Sequence, residues 1–199
     1  KILAASDIHG DIQLVKKLAD KAEKENVDLV ILCGDLTQND DPPAGLIKHF
    51  TDKGKKVLLI PGNHESHATA DFLAMLYNAT NLHGTGMLIY DLGFFGCGGA
   101  NMGYNSIDES EIYYHLKLGF EKVKNARKKI MLTHVHPSDS LISAFTNFVP
   151  GSSGVRKAID AFKPDILLCG HVHEAEGIEE KIGKTRVINV VRNGKIIEL

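Results

Sequence analysis

Ile2-Leu3-Ala4-Ala5-Ser6-Asp7-Ile8-His9 begins with four apolar residues and breaks into an Asp-x-His pair. The same change of character recurs four times further along the chain. Leu29–Cys33 runs into Gly34-Asp35, and residues 57–60 run into Pro61-Gly62-Asn63-His64-Glu65. Residues 130–132 run into Thr133-His134-Val135-His136, and Ile166–Cys169 runs into Gly170-His171-Val172-His173. Short apolar runs that end at Gly or polar residues read as buried strands. In an open α/β sheet, ligands gather beyond the carboxyl ends of the strands. If the five runs are neighbouring strands, their polar ends converge on one site. A lone His after a strand is ordinarily a hydrogen-bonded loop residue, but five such ends in order are poorly explained as five accidents.

Between the runs, apolar residues recur at helical spacing. Leu14, Val15, Leu18, Ala19 and Ala22 form one such face, and Leu46, Ile47 and Phe50 a shorter one after Pro42-Pro43. A third helix is expected around residues 70–77. Ile112, Leu116, Phe120 and Val123 share a face, with Asp108 and Glu111 spaced as a capping box. Ser152 or Ser153 caps a helix carrying Val155, Ala158, Ile159 and Phe162. Residues 87–90 and Leu92–Cys97 read as two more strands, and residues 96–103 as a Gly-rich loop. The tail reads as closing strands, 186–191 and 195–199, around a turn at Asn193-Gly194. The alternation predicts α/β layering, and the 199-residue length predicts one domain over residues 1–199.

The donors at the strand ends are carboxylates, imidazoles and an amide oxygen, without a thiolate. That set suits divalent ions such as Mn, Fe, Co, Ni or Zn in expanded coordination and argues against a thiolate-rich structural zinc site. Asp7 and His9, and His171 and His173, stand two residues apart. On extended backbone such pairs face the same way, so each pair is expected to reach one metal centre or two adjacent ones. Gly34, Gly62 and Gly170 beside them permit close approach.

The formal net charge of -2 argues for neither a nucleic-acid surface nor an anionic membrane. The apolar runs are far too short to span a bilayer, and no secretory signal pattern is present at the start. Cys33, Cys97 and Cys169 are odd in number and widely spaced, which is no disulfide framework. They read as small buried hydrophobes in a reducing, cytoplasmic setting.

Taken together, Asp7-x-His9, Gly34-Asp35, Gly62-Asn63-His64-Glu65, His134 and Gly170-His171-x-His173 resemble the five-block signature of the calcineurin-like metallophosphoesterases. The blocks span residues 7–173, most of the chain. The resemblance implies a four-layer sandwich of two facing β-sheets flanked by helices, with two divalent metal ions, manganese among the candidates. It implies that Asp7, His9, Asp35 and His173 hold the first ion, that Asp35, Asn63, His134 and His171 hold the second, and that Asp35 bridges them. A hydroxide shared by the ions would attack phosphorus, while His64, off the metals, would meet the leaving oxygen as general acid.

The chain departs from the pattern in two places. His136 stands where the family commonly has proline. It reads as a solvated loop histidine, with an extra substrate or supporting contact as the alternative. The arginines that the family's Ser/Thr protein phosphatases carry after Asp35 and Asn63 are missing. Arginine grips a dianionic phosphate, so their absence leans towards a phosphodiester in a small substrate, as in the compact microbial members. A phosphomonoesterase or nuclease of the same family is the nearest rival, and a non-catalytic interaction module the rival from another class. Against the module, all seven ligand positions and His64 are intact; against a nuclease, there is no capping extension and no basic stripe. Specificity is expected in loops 100–110 and 137–151. The second is expected to be a mobile wall of the site, with Phe145 and Phe148 placed to stack on a substrate ring. Asp40-Asp41 reads as an exposed acidic turn, Glu65 as a residue that tunes the metals or orients His64, and Arg156 as a surface residue on a capped helix.

Overall fold

The computed structural model describes residues 1–146 and 148–199. In chain order the elements are β1 (Ile2–Ala5), α1 (Ile12–Lys24), β2 (Leu29–Cys33), α2 (Lys48–Thr51), β3 (Lys56–Ile60), α3 (His67–Leu76), β4 (Thr80–Asn81) and β5 (Thr85–Ile89). They continue with β6 (Leu92–Cys97), α4 (Glu109–Val123), β7 (Lys128–Thr133), α5 (Ser153–Phe162), β8 (Ile166–Cys169), β9 (Glu179–Ile182), β10 (Thr185–Asn189) and β11 (Lys195–Ile197). Among the described residues they make two sheets, ordered β11-β1-β2-β3-β4 and β5-β6-β7-β8-β10-β9.

Side-chain alternation builds the layers. Ile2, Ala4, Leu29, Ile31, Leu58 and Ile60 of the first sheet pack against Phe94, Ile130, Leu132, Ile166, Leu168 and Ile188 of the second. The intervening residues Leu3, Ala5, Val30, Leu32 and Leu59 turn outward to Leu14, Val15, Leu18, Phe50 and Leu73 on α1, α2 and α3. Met131 and Leu167 turn outward in the same way to Ile112, Leu116, Val155 and Ile159 on α4 and α5. The result is the expected sandwich of helices, sheet, sheet and helices. Each fully buried Leu, Ile, Val or Phe contributes about 1.5–3 kcal/mol. A one-residue slip would exchange the two faces of a strand, so the register is firmly held.

The caps follow the sequence. Asp11 accepts from the Leu14 N–H, the Asp108–Glu111 capping box is present, and Ser152 accepts from the Val155 N–H. Two strands fall outside the sequence reading, as do two short 3-10 helices at Ile142–Phe145 and His173–Ala175. β4 has two residues, and β9 is a half-exposed Glu-Glu-Lys-Ile edge strand with no alternation to announce it. The tail also differs from a simple closing pair. β10 lies parallel to β8 in one sheet, whereas β11 lies antiparallel to β1 in the other. The turn at Asn193-Gly194 therefore carries the chain across the sandwich. Among the described residues no helix is long and apolar enough to cross a membrane.

Candidate metal centre

β1, β2 and β3 run parallel, as do β6, β7 and β8. Their carboxyl ends meet at one end of the sandwich, where the loops bring all eight predicted residues together. Asp7, Asp35, Asn63 and His134 are buried there, while His9, His64 and His171 are partly buried and His173 is exposed.

The pairs two residues apart do converge, but not through extended backbone. Asp7, His9, Asp35 and His171 all have left-handed φ, at 57°, 49°, 50° and 71°. That conformation is uncommon for residues with a Cβ. Here hydrogen bonds hold it: Asp7 N–H donates to the Gly34 carbonyl, His9 N–H to Asp35, and Gly10 N–H to Leu36. The loop after β1 is thus laced to the loop after β2. Glycines allow the rest of the approach. A Cβ on Gly62 would lie 2.0 Å from Asp35 Oδ1, and one on Gly170 would lie 1.9 Å from Ser6 Oγ.

Asp35 lies between two sets of donors. On one side His134 Nε2 is 3.3 Å from its Oδ2, 3.1 Å from Asn63 Oδ1 and 3.1 Å from His171 Nδ1. On the other, His9 Nε2 is 3.8 Å from Asp35 Oδ2 and 3.9 Å from Asp7 Oδ1, and His173 Nε2 is 3.1 Å from Asp7 Oδ1. Among the described residues, three groups have donor atoms within 4.8 Å of one another: Asp7–His9–His173, His9–Asp35–His64 and Asp35–His134–His171. His64 thus stands within ligand reach as well as beside the site.

The donor set fits a cation. His134 Nδ1 sits 3.0 Å from the Cys33 carbonyl, which can only accept, so Nδ1 carries the hydrogen. Nε2 then presents its lone pair to an amide oxygen, a carboxylate oxygen and a second imidazole nitrogen. A divalent ion satisfies such a ring of acceptors. Without one, the cluster retains a proton. Burial opposes charge on His134, yet the adjacent Asp35 carboxylate pushes its pKa up to about 10. Burial raises the Asp35 carboxyl, but the charge and hydrogen bond of His134 win and hold it low. Burial, then the His134 charge, pushes His171 down to about 3. A metal bound here would displace the His134 proton.

Three residues behave differently from the sequence reading or beyond it. His136 is not a solvated loop residue. It is fully buried, neither ring nitrogen has a hydrogen-bond partner, and burial pushes it down to about 4. Its loop is drawn inward because Ser152 N–H donates to the His136 carbonyl and Pro137 bridges Ser152. Glu65 is buried and accepts from the Gly62, Thr37 and Leu36 N–H groups, tying the loops after β2 and β3 together. Burial and the Asp35 charge push its carboxyl up to about 7. Arg192, outside every motif block, is held near the site by its N–H to the Ser6 carbonyl. Its charge opposes protonation of His173, which the Asp7 hydrogen bond favours.

Asp40 and Asp41 form an exposed turn, as expected. The α5 N-terminus is already occupied: Glu109 accepts from Ser152 Oγ and the Gly154 N–H, while Arg156 donates to the Ser138 and Asp139 carbonyls. The segment 137–151 lies in part outside the described residues. Its described part is tied down by Leu141 N–H to the Glu180 carboxylate and by the buried Ile142. The cavity beside His64 is lined instead by Asn39, Asp40, Tyr104 and Asn105. Tyr104 and Asn105 belong to the other loop expected to carry specificity, 100–110, but carry no motif of their own.

The site gathers carboxylate and imidazole donors that could hold metal ions. The family model of the calcineurin-like phosphoesterases matches residues 1–175, and the chain belongs to that family. Among solved structures it is similar to TT1561 of Thermus thermophilus, with a TM-score of 0.75 and 20% identity over 94% of this chain and 87% of that one. It is also similar to a structure described as a novel archaeal phosphodiesterase, with a TM-score of 0.56 and 20% identity over 94% and 81% of the two chains. A dimetal phosphatase from Danio rerio aligns with a TM-score of 0.60 and 10% identity over 96% and 88%. At these identities the likeness is one of fold. No curated protein matches the chain.

Proposed function

We propose that this chain hydrolyses a phosphodiester with two divalent metal ions, and that residues 1–199 act as one catalytic domain. The observation that carries the reading is Asp35, whose carboxylate lies between His9 on one side and His134 on the other. Asp7, His9, Asp35 and His173 would hold one ion, and Asp35, Asn63, His134 and His171 the other. Two such ions, when bound, supply a nucleophile from water near neutral pH and offset charge on the phosphoryl oxygens. The protein's own share is positional. Asp35 fixes the distance between the two donor sets and also accepts the His64 N–H at 3.0 Å, which sets the His64 backbone against the site. Glu65 holds the loops that carry Asp35 and Asn63 in register. His64, partly buried and bordering the cavity, is placed to give a proton to the departing oxygen.

The preference for a diester rests on charge. Among the described residues no lysine or arginine pairs with any of the eight site residues. A dianionic monoester would bring a second negative charge with no paired lysine or arginine to meet it beside the ions. The three buried free thiols fit a reducing, cytoplasmic setting. Metal-stripped protein, reloaded with Mn, Fe, Co, Ni or Zn in turn, tests the proposal on mono- and diesters that share one leaving group. The diester should show the higher kcat/KM, and only with metal. A monoester preference, or turnover without metal, would overturn it.

A further inference from the structure

Apart from His64 itself, the cavity beside His64 is built from two loops outside the motif blocks. It is an open cleft of about 280 Å³ lined by Asn39, Asp40, His64, Tyr104 and Asn105, near the lower end of small-ligand pockets at roughly 300 Å³. Its walls are held in place. Asn39 and Asp40 are consecutive left-handed residues, with φ of 52° and 60°. Asp40 N–H donates to the His64 carbonyl, and Asp40 Oδ1 accepts the Ser66 N–H at 2.7 Å. The Thr69 and Ser66 side chains also hydrogen-bond to this carboxylate, which is exposed and keeps acceptor capacity for a ligand. Across the cavity, Asn105 donates through its backbone N–H and its Nδ2 to the Asn63 carbonyl, at 3.3 and 3.2 Å. Its Oδ1 is left as a second acceptor. Tyr104 is 85% exposed, with its ring 6.5 Å from that of His64 and steeply inclined to it. The lining therefore carries one carboxylate, two amides and an open aromatic face, without lysine or arginine.

We propose that this cavity is the subsite for the leaving alcohol and that it selects an uncharged nucleoside over an alcohol bearing a further phosphate. The assignment of the leaving side rests on the reading of His64 as the proton donor. The base stacks on Tyr104, and the Asp40 and Asn105 oxygens accept from its amine and the ribose hydroxyls. An anionic group in the same place meets the Asp40 carboxylate with no cation to offset it. On turnover the bond from phosphorus to the nucleoside oxygen breaks, that oxygen takes a proton from His64, and the hydroxyl of water, with its own proton, ends on phosphorus. The water's remaining proton restores His64.

Two measurements test the proposal separately. Adenosine is titrated into metal-stripped protein, followed by chemical-shift changes. Tyr104→Ala should weaken binding about tenfold or more, the scale of one aromatic–base stack. In the second, reloaded enzyme is given a dinucleoside monophosphate with and without a terminal phosphate on the leaving nucleoside. The unphosphorylated substrate should be favoured about tenfold in kcat/KM. Asp40→Asn, which keeps the acceptor for Ser66, should narrow that ratio, and Asp40→Lys should reverse it. Adenosine that fails to bind, or binds equally well to Tyr104→Ala, overturns the subsite, as does a ratio that ignores Asp40. If no phosphate ester is hydrolysed with any metal, the proposed chemistry fails, while adenosine binding still decides what the cavity recognises.

Discussion

Two groups of close-packed imidazoles lie in this molecule, and they differ in the company they keep. His134 and His171, with ring centres 4.8 Å apart, face Asp35, Asn63 and Asp7. His67, His83 and His115 are packed closer, at 3.8 and 4.4 Å between successive rings, where α3, β4 and α4 approach. Among the described residues no carboxylate pairs with them, and every group of gathered donor atoms lies at the first cluster. The charge balance differs accordingly. Burial works against charge in both places. At His134 the carboxylate overrides it and the pKa rises to about 10. At His83 burial and the neighbouring imidazoles act together, pushing it down to about 3. Crowded histidines alone do not make a cation site; the carboxylate between them decides the sign.

The largest effect should come from removing that carboxylate. Asp35→Asn takes one donor from both sets, so calorimetric metal titration should show both affinities falling together. The loss should exceed the roughly 10–100-fold typical of outer-shell substitutions. If one affinity survives intact, Asp35 does not link the two sets.

Next in size is His64→Ala. It should leave metal content near wild type, measured by elemental analysis, while turnover falls by about 10²–10⁴-fold. The loss should shrink for a nitrophenolate leaving group, which needs little protonation, and be greatest for nucleoside or alkyl esters. A variant that loses metal would place His64 among the ligands, where its proximity to His9 and Asp35 also allows it. A loss equal for every leaving group would make it a phosphoryl contact and not the acid.

The smallest effect belongs to the second cluster. An imidazole held at about 3 in the fold, against an ordinary 6.5, takes up a proton on unfolding anywhere between those values. Its contribution is therefore full above pH 6.5 and is lost progressively as the pH falls towards 3. The total is a few kcal/mol at most, at about 1.4 kcal/mol per unit. His83→Gln should flatten the acid limb of the unfolding curve and leave metal content unchanged. An unaltered acid limb would mean that His83 is not held neutral; lost metal would mean the two clusters are coupled.

The same contrast shows what the chain discloses before it folds. The five strands and the eight residues at their ends are legible because strand ends in an α/β sheet converge and the donors follow each run directly. The way Asp7 and His171 reach the site is not, since left-handed backbone gives no signal in residues other than Gly. His67, His83 and His115 come from separate elements at no fixed spacing, so only the packing of α3 and α4 brings them together. Tyr104 and Asn105 sit in a loop without period. β9 escapes a sequence reading because its edge is charged, and the tail strands read as neighbours because a turn does not say whether a chain stays in its sheet. His136 reads as solvated because its burial depends on Ser152, which lies well beyond its own loop block in the sequence.

The central claim, two ions organised by Asp35, is tested most directly by counting metal in protein stripped and then reloaded, with anomalous diffraction to locate the ions. The account predicts two ions per chain, one on either side of Asp35, with turnover rising as the second site fills. Saturation at a single ion with full activity would contradict it.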